Sequence, residues 1–242
     1  MPAVLLVVLA AAYGAGAGAL LPRAAHRLSV AAGEPWRDRC PRDHPLRGWA
    51  GPAACKECGG APYGPGTLLP LAATAVACAA LAAAAGAEPE LAVWLLLAPF
   101  WVLLVAVDRA VRRLPDVLTL PLAGAAVVLL GGAALIGGAG SWTRALLGGI
   151  TLGGVYFVLF FINPAGFGFG DVKLALVLGV ALGWYGWDVL FTGSFAGLLL
   201  AAGYAVTMLA ARRVGRKTGI AFGPFMIAGA FAGLVAGGLV AG

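Results

Sequence analysis

Leu91-Ala92-Val93-Trp94-Leu95-Leu96-Leu97-Ala98-Pro99-Phe100-Trp101-Val102-Leu103-Leu104-Val105-Ala106-Val107 is an uncharged apolar run, and Asp108 closes it. A run of this length can cross the hydrocarbon of a bilayer as a helix. A carboxylate at the edge of hydrocarbon costs at least a few kcal/mol unless it is paired or hydrated. The stretch therefore predicts a membrane helix and marks Asp108 as a candidate functional group.

The same pattern recurs along the chain. Of 242 residues, 62% are hydrophobic and 11% charged, with mean hydropathy +0.96. A soluble domain would carry about a quarter charged residues. Eight apolar runs reach spanning length, at about 3–21, 68–86, 91–107, 117–138, 145–163, 172–187, 189–211 and 219–241. The expected fold is all-α, a polytopic membrane bundle of about eight helices, with one long polar loop at 22–66 between the first two. This divides the chain into 1–66, the first helix plus loop, and 67–242, the main bundle. The 38 glycines suit helices packed backbone to backbone, and Gly229, Gly233 and Gly237 fall on one helical face. The first run follows only Met1-Pro2, with no basic segment before it and a poor cleavage site at Leu21-Pro22-Arg23, so it reads as a retained helix.

Charge orients the bundle. Alternation of the eight runs places Arg23, Arg27, Arg37, Arg39, Arg42, Arg47, Lys56, Arg109, Arg112, Arg113, Lys173, Arg212, Arg213, Arg216 and Lys217 on one side. Arg144 falls on the other, with Glu88, Glu90 and Asp188. The positive-inside rule makes the first side cytoplasmic and puts both termini outside. The net charge of +6 reflects this asymmetry and does not point to nucleic acid.

On that cytoplasmic side Gly168-Phe169-Gly170-Asp171 brings a second carboxylate to a helix end. Hydrolysis by carboxylates needs two within reach of one water, one ionised and one protonated. Asp108 and Asp171 lie 63 positions apart, but the two intervening spans return the chain to the same face. Gly168 and Gly170 offer backbone freedom around Asp171, Gly170 being the more sensitive. Simpler roles compete. Asp171 is well placed to cap the sixth span, and Asp108 to pair with Arg109, Arg112 or Arg113. Asp116, after Pro115, reads as a cap of the fourth span. Lys173 can snorkel to the interface or tune the two acids.

Asp108-Arg109-Ala110-Val111-Arg112-Arg113-Leu114-Pro115-Asp116, Gly168-Phe169-Gly170-Asp171-Val172-Lys173-Leu174 and Ala221-Phe222-Gly223-Pro224-Phe225 together resemble the bacterial prepilin peptidases, the GxGD aspartic membrane proteases that remove type IV leaders. The resemblance covers roughly 70–240 and is poor over the first 66 residues. It implies that Asp108 and Asp171 are catalytic, with Gly168, Gly170, Lys173, Gly223 and Pro224 as supporting motif residues. It also implies an enzyme of the bacterial inner membrane, active at the cytoplasmic face. Its partners would be the lipid bilayer and a prepilin or pseudopilin, whose short basic leader it cuts. No cofactor is needed for that reaction. A presenilin-like protease shares Gly-x-Gly-Asp but pairs it with Tyr-Asp and Pro-Ala-Leu elements not found here at the right places. A transporter would hold its acids near the midplane, not at span ends.

Loop 22–66 contains Cys40, Cys55 and Cys58, with Cys78 in the second span. Cys55-Lys56-Glu57-Cys58-Gly59-Gly60 has the form of a zinc knuckle, and structural zinc takes four sulfur or nitrogen ligands. Cys40 supplies a third ligand. His44 or Asp43 completes the set, with His44 favoured because imidazole binds zinc better than a lone carboxylate. A cytosolic loop disfavours a disulfide. Relatives by the resemblance carry two Cys-x-x-Cys pairs here, and many also methylate the new pilin N-terminus. In Cys40-Pro41-Arg42-Asp43 an aspartate replaces the second cysteine, so methyl transfer is not expected.

Overall fold

The computed structural model describes residues 2–164, 166–211 and 221–241. The basic positions Arg212, Arg213, Arg216 and Lys217 lie outside the described residues. Nine helices are described: α1 Ala3–Ala19, α2 Leu21–Leu28, α3 Leu68–Ala85, α4 Glu90–Val111, α5 Asp116–Leu135, α6 Trp142–Ile162, α7 Phe169–Tyr185, α8 Trp187–Ala210 and α9 Gly223–Ala241. Six are long and apolar enough to cross a membrane. α1 and α7 have 17 residues each, about 25 Å at the helical rise. The protein is a multi-pass helical membrane bundle, and the eight expected spans correspond to α1 and α3 to α9.

Glycine sets the closest helix pairs. A Cβ on Gly148 of α6 or on Gly179 of α7 would stand 2.5 Å from the carbonyl oxygen of the other. Gly14 and Gly18 of α1 press the same way on the Thr74 and Pro70 carbonyls of α3. On α9, Gly229 lies against the backbone of Gly193 and Gly197 of α8, and Gly237 against the Tyr185 ring. Between lipid-embedded helices the hydrophobic effect is small, so such backbone contact, with its dispersion attraction, carries the packing. α7 is the central helix, buried almost continuously from Val172 to Trp184.

Loop 22–66 is folded. α2 is bent 42° from α1, and its Ala25 and Leu28 pack on Leu103 and Val107 of α4. A short hairpin, β1 Ala54–Cys55 with β2 Ala61–Pro62, encloses a 3₁₀ turn at Lys56–Cys58. Arg27 donates to the Leu46 and Gly48 carbonyls at 3.2 and 3.1 Å and lies over the Trp49 ring. Arg113 donates to the Ala31 carbonyl at 2.9 Å, tying the loop to the end of α4 that carries Asp108.

Two expectations are corrected. Glu90 is not a loop charge: it opens α4 with no exposed surface, because the α5–α6 turn folds over it and the Ala139 amide donates to its Oε2 at 3.2 Å. The sixth span begins at Phe169, ahead of the expected Val172, so Asp171 is the third residue within α7.

Candidate active site and metal cluster

α4 ends at Val111, and Arg112, which caps it, adopts the left-handed conformation at φ 52° while its amide donates to the Asp108 carbonyl at 2.7 Å. One turn earlier Asp108 is turned into the bundle, 4% exposed. Its Oδ2 accepts the Gly223 N–H at 3.1 Å, and Gly223 is the first residue of α9. A helix N-terminus has free amides and a partial positive charge, so a carboxylate is well placed there. Pro224 follows, in a helix position where a missing N–H costs nothing.

Asp171 is held by the same type of bond. Its Oδ2 accepts the Gly168 N–H at 2.9 Å, a first-turn carboxylate reaching back to the residue that precedes the helix. The capping role is therefore present, made from the third helical position and not from the cap. Gly168 has an extended backbone at φ −81° and Gly170 is helical, neither with positive φ. The expected need for backbone freedom is thus replaced by a need for space. A Cβ on Gly170 would stand 3.2 Å from the Leu114 Cβ, and one on Gly223 would stand 2.8 Å from Asp108 Oδ2. Leu114, itself 5% exposed, sits between the starts of α7 and α9.

Asp108 and Asp171 line one cleft of ≈ 920 Å³. Arg112, Asn163, Lys173, Phe167 and Phe222 share its wall, and Leu198, Ala201, Ala202 and Ala205 of α8 form an apolar side. Among the described residues Asp108 makes no ion pair; Arg109 and Arg112 are exposed, and Arg113 is engaged at Ala31. The Lys173 ammonium bonds Asp116 Oδ1 at 2.6 Å and lies 4.8 Å from the Phe169 ring centre. Asp116 opens α5 but spends its carboxylate on Lys173, not on a cap. Sequence reasoning missed Leu114, the Gly223 amide and the Asp116–Lys173 pair.

The loop residues converge separately. The ligand atoms of Cys40, His44, Cys55 and Cys58 all lie within 4.8 Å of one another. His44 Nδ1 is 3.1 Å from Cys58 Sγ, 3.6 Å from Cys40 Sγ and 3.8 Å from Cys55 Sγ, and Cys40 and Cys58 sulfurs are 3.9 Å apart. Tetrahedral zinc geometry gives about 3.8 Å between sulfurs and about 3.5 Å between sulfur and nitrogen, so the cluster has room for one metal ion. Asp43 is turned away to Arg39 at 3.0 Å, which leaves His44 as the fourth donor. Its other nitrogen, Nε2, faces Glu57 at 3.8 Å, as outer carboxylates do behind metal-bound histidines. Burial raises the Cys40 thiol, but the Arg42 and His44 amides and the His44 ring outweigh it and bring it down to about 6. Burial and the two neighbouring sulfurs push Cys58 up to about 11, a repulsion a cation would relieve. Cys78 is fully buried in α3 and takes no part.

Fold and cleft together define a polytopic membrane protein with two amide-held carboxylates at one end of the bundle. Residues 91–206 match the type IV leader peptidase family, and that segment makes the protein a type IV leader peptidase-like membrane protease. The match contains both aspartates and ends before Gly223. No curated protein and no solved structure matches the chain.

Proposed function

We propose that the protein is an aspartic endopeptidase in which Asp108 and Asp171 form the catalytic dyad. The observation that carries this is their shared cleft, with each carboxylate fixed through Oδ2 by one backbone amide. Two carboxylates in one site share a proton. The ionised member takes a proton from a water that attacks the scissile carbonyl, and the protonated member donates to the carbonyl oxygen. Collapse of the tetrahedral diol then breaks the C–N bond as the departing amine takes up a proton. Residues 67–242 carry this chemistry; residues 1–66 supply the first helix and the metal-holding loop.

The substrate is a type IV prepilin or pseudopilin, cut at its basic leader on the cytoplasmic face of a bacterial inner membrane. Supporting that orientation, Arg113 and the 22–66 loop lie at the Asp108 end of the bundle, where the basic residues are concentrated. A presenilin-like reading shares the acids but lacks its accompanying motifs, and a transporter reading is disfavoured by acids at helix ends. Co-expression with a prepilin decides among these: loss of the leader at its basic junction is expected, whereas an intact prepilin, or a cut within its hydrophobic helix, overturns the proposal.

The same experiment addresses methyl transfer. In a host lacking other pilin methylases, mass spectrometry of the mature N-terminus is expected to show an unmodified amine. A gain of one methyl mass that depends on this gene would mean that the shortened loop still supports transfer.

The ion that Cys40, His44, Cys55 and Cys58 would hold is a structural zinc. Elemental analysis of the purified protein is expected to give about one zinc per chain. Cys55→Ser should lower that content and the thermal stability in detergent. Zinc well below one per chain in the unaltered protein would defeat the assignment.

A further inference from the structure

Gly170 and Lys173 stand one helical turn apart at the start of α7, so they share a face. That face meets the turn Leu114-Pro115-Asp116, which links the Asp108 helix to α5. Gly170 rests on buried Leu114, and Lys173 bonds Asp116 at 2.6 Å. Asp171, next to Gly170, is thereby aimed at the cleft. The contact has an apolar half and an ionic half, and the two halves bracket one carboxylate of the site while Leu114 also touches the start of α9, where the other is held.

We propose that Asp116 and Lys173 are a positioning pair that sets the relation of Asp171 to Asp108; this rests on the dyad reading above. Exposed ion pairs contribute little to stability because water competes and two mobile side chains must be ordered. Lys173 escapes part of that cost: its side chain is 16% exposed and its ammonium is already lodged over the Phe169 ring. Asp116 is 58% exposed, so the pair is a poor source of stability. Its effect is geometric, since a dyad sharing one water tolerates little displacement. The charged groups on the cleft among the described residues are Asp108, Arg112, Arg113, Asp116, Asp171 and Lys173. Arg113 is engaged at Ala31, and Lys173 is the cation that bonds Asp116.

Kinetics of prepilin cleavage in detergent by the full chain test this. Asp116→Asn and Lys173→Met are each expected to lower kcat about tenfold, with KM little changed and stability preserved. The double variant should lose no more than either single one, and the reversed pair, Asp116→Lys with Lys173→Asp, should recover most of the loss. A merely structural role would instead show as lost thermal stability in detergent, with kcat of the folded fraction unchanged. Full activity of Asp116→Asn, or losses that multiply in the double variant, would overturn the inference. Asp108→Asn and Asp171→Asn measured alongside separate the two claims. If they are inactive while Asp116→Asn is fully active, only the positioning role falls; if they still cleave, the dyad falls and the positioning role with it.

Discussion

Asp108→Asn and Asp171→Asn should each reduce leader cleavage by about 10³-fold or more while the protein remains inserted and abundant. Asparagine preserves shape and can still accept the amide hydrogen bond from Gly223 or Gly168, so local structure is retained. What it removes is the exchangeable proton: one member of the pair must take a proton from water and the other must give one to the carbonyl. General acid–base groups contribute about 10²–10⁴-fold each, and here the two act as one unit, so losing either disables both. Immunoblots of a co-expressed prepilin, with the peptidase itself quantified in membranes, read the outcome. Cleavage within tenfold of the unaltered enzyme by either variant would remove that residue from the mechanism.

Gly223→Val should cost about 10²-fold or more in cleavage, well beyond the effect of Gly170→Ala. A Cβ at 223 would approach Asp108 Oδ2 to 2.8 Å and Leu114 Cδ2 to 3.5 Å. The first of these is the oxygen that the Gly223 amide holds, so the added atoms push away the group the backbone positions. Misplacement on the order of 1 Å can cost about 100-fold. At Gly170 the nearest atom is Leu114 Cβ at 3.2 Å, where a shift of a few tenths of an ångström gives relief. Cleavage rates at saturating prepilin, with thermal stability in detergent as the control, compare the two. Near-normal activity of Gly223→Val would show that the α9 amide does not place Asp108.

The apolar runs were legible because a bilayer imposes a length and forbids unpaired backbone polar groups, so composition alone selects helices. Even the Gly229, Gly233 and Gly237 face could be read, since spacing on a helix is spacing on a face. Boundaries failed where polar residues belonged to helices: Glu90 and Asp171 lie inside α4 and α7, and hydropathy assigns such residues to loops. The metal cluster was legible down to its four members because cysteine and histidine have few other reasons to gather in a short polar loop. The choice of His44 over Asp43 was made on ligand chemistry, and the structure agrees because Asp43 is drawn to Arg39.

The sequence by itself determined an all-helical membrane bundle, the end of it at which the charges gather, and which acids were candidates. Those follow from local properties, hydrophobicity, charge and helical period, that each segment carries alone. Only the tertiary structure decided that Asp108 is fixed by an amide of α9, that Leu114 fills the space between two glycines, and that Asp116 belongs to Lys173. These are contacts between segments 56 to 115 positions apart, and no local property encodes which of several acids a distant lysine or amide will meet. That choice is made by how the helices pack, through glycine contacts that bring α6 onto α7 and α8 onto α9 and so set where the ends of α4, α7 and α9 converge.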